Sequence, residues 1–158
     1  VLEWLVAAET APGGWIRPIG NRGWWTRGSA PAQWDQQPIE PASIVSATAA
    51  AWDATDDEHW AVTAERALGW FLGANDRGVT MADLPTGGCR DGLGPDGANA
   101  NQGAESTLAW LLSVERIREL RQRRSPTLRC SGRGHERTYA TRSERVAVAS
   151  AIAESAAP

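Results

Sequence analysis

Residues 38–54, PIEPASIVSATAAAWDA, carry no charge between Glu40 and Asp53. Pro38 and Pro41 fit only a first helical turn, which sets the helix start near Gln37. The remaining residues are mostly Ala, Ser, Thr, Ile and Val. A helix without a polar face is predicted to be buried on most sides, so other helices must surround it. Thr55-Asp56-Asp57-Glu58 follows as an S/T-x-x-E capping box. A helix over 57–73 then aligns Trp60, Ala64, Ala67, Leu68, Phe71 and Leu72 in one apolar stripe and closes at Gly73 and Asn75-Asp76. A third helix is predicted over 103–122, with Leu108, Leu111, Leu112, Ile117 and Leu120 as its apolar side. Leu2, Leu5 and Ala8 mark a short helix over 1–9, stopped by Ala11-Pro12-Gly13-Gly14. No alternating strand pattern appears, so the predicted class is all-α.

The 158 residues fit one domain. No apolar run approaches the ~18 residues of a membrane span. No basic stretch leads into an apolar one at the N-terminus, as a secretory signal requires, and the expected setting is cytoplasmic. The chain begins inside a predicted helix and is expected to be a fragment. Cys89 and Cys130, with His59 and His135, sit at no zinc-ligand spacing, so no metal is expected. The loop 91–97 lacks the alternate ligands and closing Glu of a calcium site. Cys89 has no histidine near it in sequence and reads as a packed thiol. No cofactor is expected.

All 16 basic residues are arginine, and nine of the eleven aromatics are tryptophan. Residues 1–114 hold 6 arginines against 14 acidic residues, a net of −8, whereas 115–158 hold 10 against 5, a net of +5. The basic part has no nucleic-acid-binding motif and only Tyr139 as an aromatic, so no nucleic-acid partner is expected. Two readings of this tail stand side by side: a natural extension, or a shifted reading frame in GC-rich DNA.

Two long loops, 10–37 and 75–102, precede the first and third long helices, and long loops of this kind are usually functional. Gln37-Pro38-Ile39-Glu40 and Gln102-Gly103-Ala104-Glu105 repeat a Q-[P/G]-x-E pattern 65 residues apart. Glu in a first turn suits the helix dipole and the free backbone N–H groups there. The functional alternative makes Glu40 and Glu105 a catalytic carboxylate pair across one pocket. Arg22, Trp24, Trp25, Asp35, Gln36 and Gln37 before the first helix, and Asp91, Asn101 and Gln102 before the second, are candidate substrate-binding residues. Carboxylates and amides bond sugar hydroxyls, and indoles offer a flat face for the ring.

Five blocks carry a resemblance: 18–24 (PIGNRGW), 35–40 (DQQPIE), 70–76 (WFLGAND), 86–93 (TGGCRDGL) and 101–109 (NQGAESTLA). Together, over residues 1–122, they resemble the α-helical C-terminal region of certain bacterial glycosyltransferases. In that family a two-lobed nucleotide-sugar transferase portion precedes a helical region similar to the six-hairpin toroid of some glycosidases and sugar epimerases. The resemblance implies a partial (α/α) toroid over 1–122, with two helical hairpins and long functional loops, followed by a poorly structured basic tail over 123–158. It also implies a carbohydrate-active parent whose catalytic lobes would be partners. No glycine-rich phosphate-binding turn after a strand occurs here, so the piece is expected to be inactive alone. Two other functions remain open: a glycosidase- or epimerase-like piece with carboxylate chemistry, and a non-catalytic carbohydrate-binding or scaffolding module.

Overall fold

The computed structural model describes residues 1–125. Four helices form: α1 (Leu2–Ala8), α2 (Ile39–Thr55), α3 (Glu58–Phe71) and α4 (Ala104–Arg124). The loop between α3 and α4 also holds four two-residue strands: β1 (Ala82–Asp83), β2 (Gly88–Cys89), β3 (Leu93–Gly94) and β4 (Gly97–Ala98). β1 pairs antiparallel with β2, and β3 with β4. The architecture is therefore mixed, and the all-α, partial-toroid expectation is corrected. The reason is physical. Each strand contributes two residues, too few to print an alternation, and the ladders are closed by turn chemistry instead. Pro95-Asp96 form the corner of one ladder, and Gly97 next to them has φ +122°. Gly87, with φ +79°, serves the other, donating its N–H to Asp83 O at 2.8 Å.

α2 and α3 form a hairpin. Asp56 ends α2 in the left-handed region, at φ +57°. Asp57, not Thr55, caps α3, its carboxylate accepting His59 N–H at 3.0 Å. Thr55 Oγ1 instead accepts the Asp57 N–H. The expected capping box therefore does not form, and a single Asp cap takes its place.

The core lies where α2, α3 and α4 meet. Phe71 sits between Trp70 and Trp110, with centroids 5.3 and 5.4 Å away. Ile44, Val45 and Ala49 of α2, Ala64 and Ala67 of α3, and Ile117 and Leu120 of α4 close around them. α2 is only half enclosed: Ser43, Ser46 and Ala47 face outward. α4 also departs from its sequence reading. Its core side is Ala109, Trp110, Ser113, Ile117 and Leu120, while Leu108 and Leu112 are 57% and 65% exposed. Apolar residues occupy more than one face of α4, and Trp110 decides which face turns in because it buries the largest surface.

α2 and α4 run parallel. Glu105 in the first turn of α4 shares a groove with Ile39 in the first turn of α2. Farther along, Asp53 of α2 is bridged by Arg116 at 2.7 Å and Arg123 at 2.6 Å from the second half of α4. α4 continues through 123 and 124, past the boundary expected at 122. The remainder of the expected basic tail, with Cys130 and His135, lies outside the described residues.

Candidate functional site

The parallel arrangement brings the two long loops to the end of the molecule where α2 and α4 begin. They are joined there by backbone. Gln36 N–H donates to Leu93 O at 3.1 Å, and Leu93 N–H donates to Gln36 O at 2.9 Å. The Gln36 side chain is fully buried. Its amide nitrogen donates to Asp76 Oδ2 at 2.8 Å and Gln33 O at 3.0 Å, and its Oε1 accepts the Trp70 indole N–H at 2.9 Å. All of its amide groups are thus engaged inside the fold, so Gln36 builds the site and does not face a ligand.

Asp76 is the other half of this junction. It also accepts from Trp15 Nε1 at 2.8 Å and Arg17 Nε at 2.7 Å. Burial alone would raise its pKa. The bonds from Arg17, Trp15, Gln36 and Gln33 outweigh it and hold the carboxyl below the usual range. Four side chains along loop 10–37 thus converge on one carboxylate.

The stretch 20–35 stands out from this anchor. Its base is tied by Asn21 N–H to Asp35 O at 3.0 Å and Gly20 N–H to Ala32 O at 2.7 Å. Asp35 is in the left-handed region, φ +59°, with Oδ1 against Gly92. A Cβ on Gly92 would lie 2.9 Å from that oxygen. Arg22 is exposed. Trp24 and Trp25 are 61% and 37% exposed. Trp25 lies flat on Trp4 of α1, with centroids 5.5 Å apart and planes 8° from parallel. Its indole N–H is fixed to Ser29 O at 2.9 Å. Trp4 itself is 61% exposed. The result is a paired indole surface open to solvent, with Trp24 on the same loop.

At the start of α4, Asp91 accepts the Gly103 N–H at 2.5 Å and the Asn101 side-chain amide. The Gly103 bond, with those from Ser106 and Asn101, keeps its carboxyl below the usual range. Asp91 therefore caps α4 from a distance. Gln102 is exposed and reaches toward Asp83 at 3.4 Å. Gln37 is half-buried, its carbonyl accepting the Glu40 N–H at 3.2 Å.

Glu40 and Glu105 occupy the same end of the molecule but different surroundings. Glu105 is exposed and lines the groove of about 590 Å³ between α2 and α4, together with Ile39, Leu108 and Leu112. Glu40 does not line that groove. Its charge acts on Glu9, which sequence reasoning missed. Glu9 follows α1 and is only 3% exposed. Among the described residues its carboxyl has no hydrogen-bond partner. Burial first, and the charge of Glu40 second, push it up to about 7. No signal in VLEWLVAAE announces this, because the burial comes from chain elsewhere. Cys89 is also fully buried, and burial followed by Asp91 pushes its thiol up to about 12, which leaves it inert.

Among the described residues no cluster of three or more His, Cys, Asp or Glu could hold a metal ion. No helix there is long and apolar enough to cross a membrane. No family model matches the chain, and no curated protein matches its sequence.

Proposed function

We propose that this chain is the carbohydrate-contacting helical part of a larger cytoplasmic enzyme of the bacterial glycosyltransferase kind that it resembles. On this reading, sugar-nucleotide chemistry belongs to lobes outside the chain, and the loop face at the α2 and α4 starts holds a saccharide. The observation that carries the reading is the exposed, parallel Trp4–Trp25 pair. An indole face covers the apolar C–H side of a pyranose, and two fixed faces lose little entropy on binding. Arg22 on the same loop adds a charged donor for hydroxyls. Glu40 and Glu105 are assigned no joint bond-breaking role, because one adjoins Glu9 and the other lines the α2–α4 groove.

The surface is open, so affinity is expected on the order of millimolar, about −4 kcal/mol. Titration with gluco-oligosaccharides, followed by tryptophan fluorescence, tests this. A saturable change that disappears in Trp25→Ala supports the reading. No change in the folded wild-type chain up to tens of millimolar, about ten times the expected Kd, contradicts it.

A further inference from the structure

Five arginines among the described residues are half-buried, and four of them end on an acceptor. Arg17 is held by Asp76, Arg116 and Arg123 by Asp53, and Arg90 by Ala100 O at 2.7 Å. Arg66 of α3 is the exception. Its Nε is the one side-chain nitrogen or oxygen of the described residues that is cut off from solvent without a hydrogen-bond partner. No hydrogen bond or ion pair holds the rest of its guanidinium among those residues. A guanidinium sunk in the fold without an acceptor is costly, and a bound acceptor would offset that cost.

Arg66 stands in the wall of a pocket of about 660 Å³ between α1 and α3. That volume lies within the ~300–1,000 Å³ of small-molecule sites. Glu3, Val6 and Ala7 line it from one face of α1, at spacings of three and four residues. His59 and Arg66, two turns apart on α3, face them. Val6 is buried and supplies an apolar floor. Asp57 closes the rim, with Oδ1 already capping α3 through His59 N–H. Two carboxylates thus border the pocket against one guanidinium. A bare inorganic anion meets net repulsion there. A ligand that fits brings one carboxylate for Arg66 and hydrogen-bond donors for Glu3 and Asp57.

We propose that the α1–α3 pocket binds a sugar acid, with its carboxylate on the Arg66 guanidinium and its hydroxyls on Glu3 and Asp57. The apolar C–H side of the ring lies over Val6 and Ala7. The planar guanidinium matches a carboxylate, whereas the two acidic groups accept O–H donors and repel a second negative charge. Glu3 precedes Trp4 on α1, so an acidic saccharide held by the indole pair adjoins this pocket. That link rests on the function proposed above, whereas the ligand of the pocket follows from its own charges.

The probe is glucuronate, added to the full chain as its sodium salt in exchange for chloride, so that ionic strength stays constant. The readout is the imidazole C–H signals of His59 in NMR, identified by their absence in His59→Gln. They should move along a saturable curve with a Kd on the order of millimolar. In Arg66→Gln the Kd should rise at least about tenfold, the loss expected for a hydrogen bond between charged groups. Glucose, which lacks the carboxylate, and acetate, which lacks the hydroxyls, should each bind more weakly than glucuronate. No saturable movement in wild type up to tens of millimolar, about ten times the expected Kd, overturns the proposal, as does an unchanged Kd in Arg66→Gln. Equal affinity for acetate overturns the assignment to a sugar acid. Should Arg66→Gln fail to fold, an unchanged Kd in Glu3→Ala, at an exposed position, overturns it equally. Glucuronate binding at His59 with no Trp25 response to gluco-oligosaccharide would refute the proposed function and support this site.

Discussion

The Gln36 side-chain amide donates to Asp76 at 2.8 Å across 40 positions of sequence, and this bond fixes loop 10–37 onto the end of α3. The same carboxylate holds Trp15 and Arg17. Asp76→Ala strips the acceptor from four side chains at once, those of Trp15, Arg17, Gln33 and Gln36. Leaving buried donors unsatisfied costs about 1–3 kcal/mol per group, so a loss of about 3 kcal/mol is expected in urea unfolding. Asp76→Asn should cost less, because it keeps one acceptor. A loss below about 0.5 kcal/mol in Asp76→Ala, the level of an ordinary surface change, would mean that the junction does not anchor the loop.

Close approach of backbones makes Gly20 a second anchor. A Cβ there would lie 1.9 Å from Trp34 O and 2.4 Å from Trp34 C. Backbone atoms cannot rotate away as a side-chain tip can. Gly20→Ala should destabilise by about 2 kcal/mol or more and disturb the 20–35 stretch, read as altered Trp24 and Trp25 indole signals in NMR. Gly28→Ala is a comparison of another kind. Nothing lies within 4 Å of its Cβ position, and the cost there comes from φ +86° alone.

Glu9 makes stability depend on pH in an unusual direction. Its folded value of about 7 lies above the ordinary 4.5, so the folded chain keeps the proton after the unfolded chain has released it. Its contribution is complete below about pH 4.5, declines as pH rises toward 7, and is flat beyond. Asp76 acts oppositely. Its lowered value gives stability above the ordinary carboxylate range that is lost as pH falls through the folded value. Glu9→Gln should therefore be more stable than wild type at pH 8 and close to it at pH 4.5, by chemical denaturation at both. Equal wild-type and variant curves at pH 8 would contradict the assignment.

The two faces of α4 should respond differently to substitution. Ile117 is fully buried, and Ile117→Ala should cost about 2–5 kcal/mol. Leu112 is mostly exposed, and Leu112→Gln should stay within about 0.5 kcal/mol. Urea unfolding of both variants checks this. A large loss in Leu112→Gln would mean that this face is covered in solution.

The three long helices were legible because their signals are local. Prolines in a first turn, a charge-free Ala-rich run and an apolar stripe each need only neighbouring residues. The strands were not legible, since a two-residue ladder such as Leu93–Gly94 with Gly97–Ala98 has no period to detect. The inward side of α4 differs from the expected Leu108, Leu111 and Leu112 side for another reason. Leucines at 108, 111 and 112 compete with Trp110, and only packing against Phe71 resolves the choice. In the site, Arg22, Trp24 and Trp25 are expected from sequence to bind substrate, and all three are exposed. Gln36 was grouped with them by its place in the loop, yet Trp70 and Asp76, far away in sequence, draw it inside. Glu9 and Trp4 escaped notice because their partners, Glu40 and Trp25, arrive only through the fold.

The indole N–H signals of the described tryptophans give the most direct measurement of the central claim. Gluco-oligosaccharide is added to the ¹⁵N-labelled chain at pH 6, about one unit below the raised Glu9 value, so that its carboxyl stays mostly neutral. The account predicts that Trp4, Trp24 and Trp25 shift together along one saturable curve, while the buried Trp70 and Trp110 stay in place. Shifts confined to other tryptophans, or none at all at saccharide concentrations well above millimolar, would contradict it.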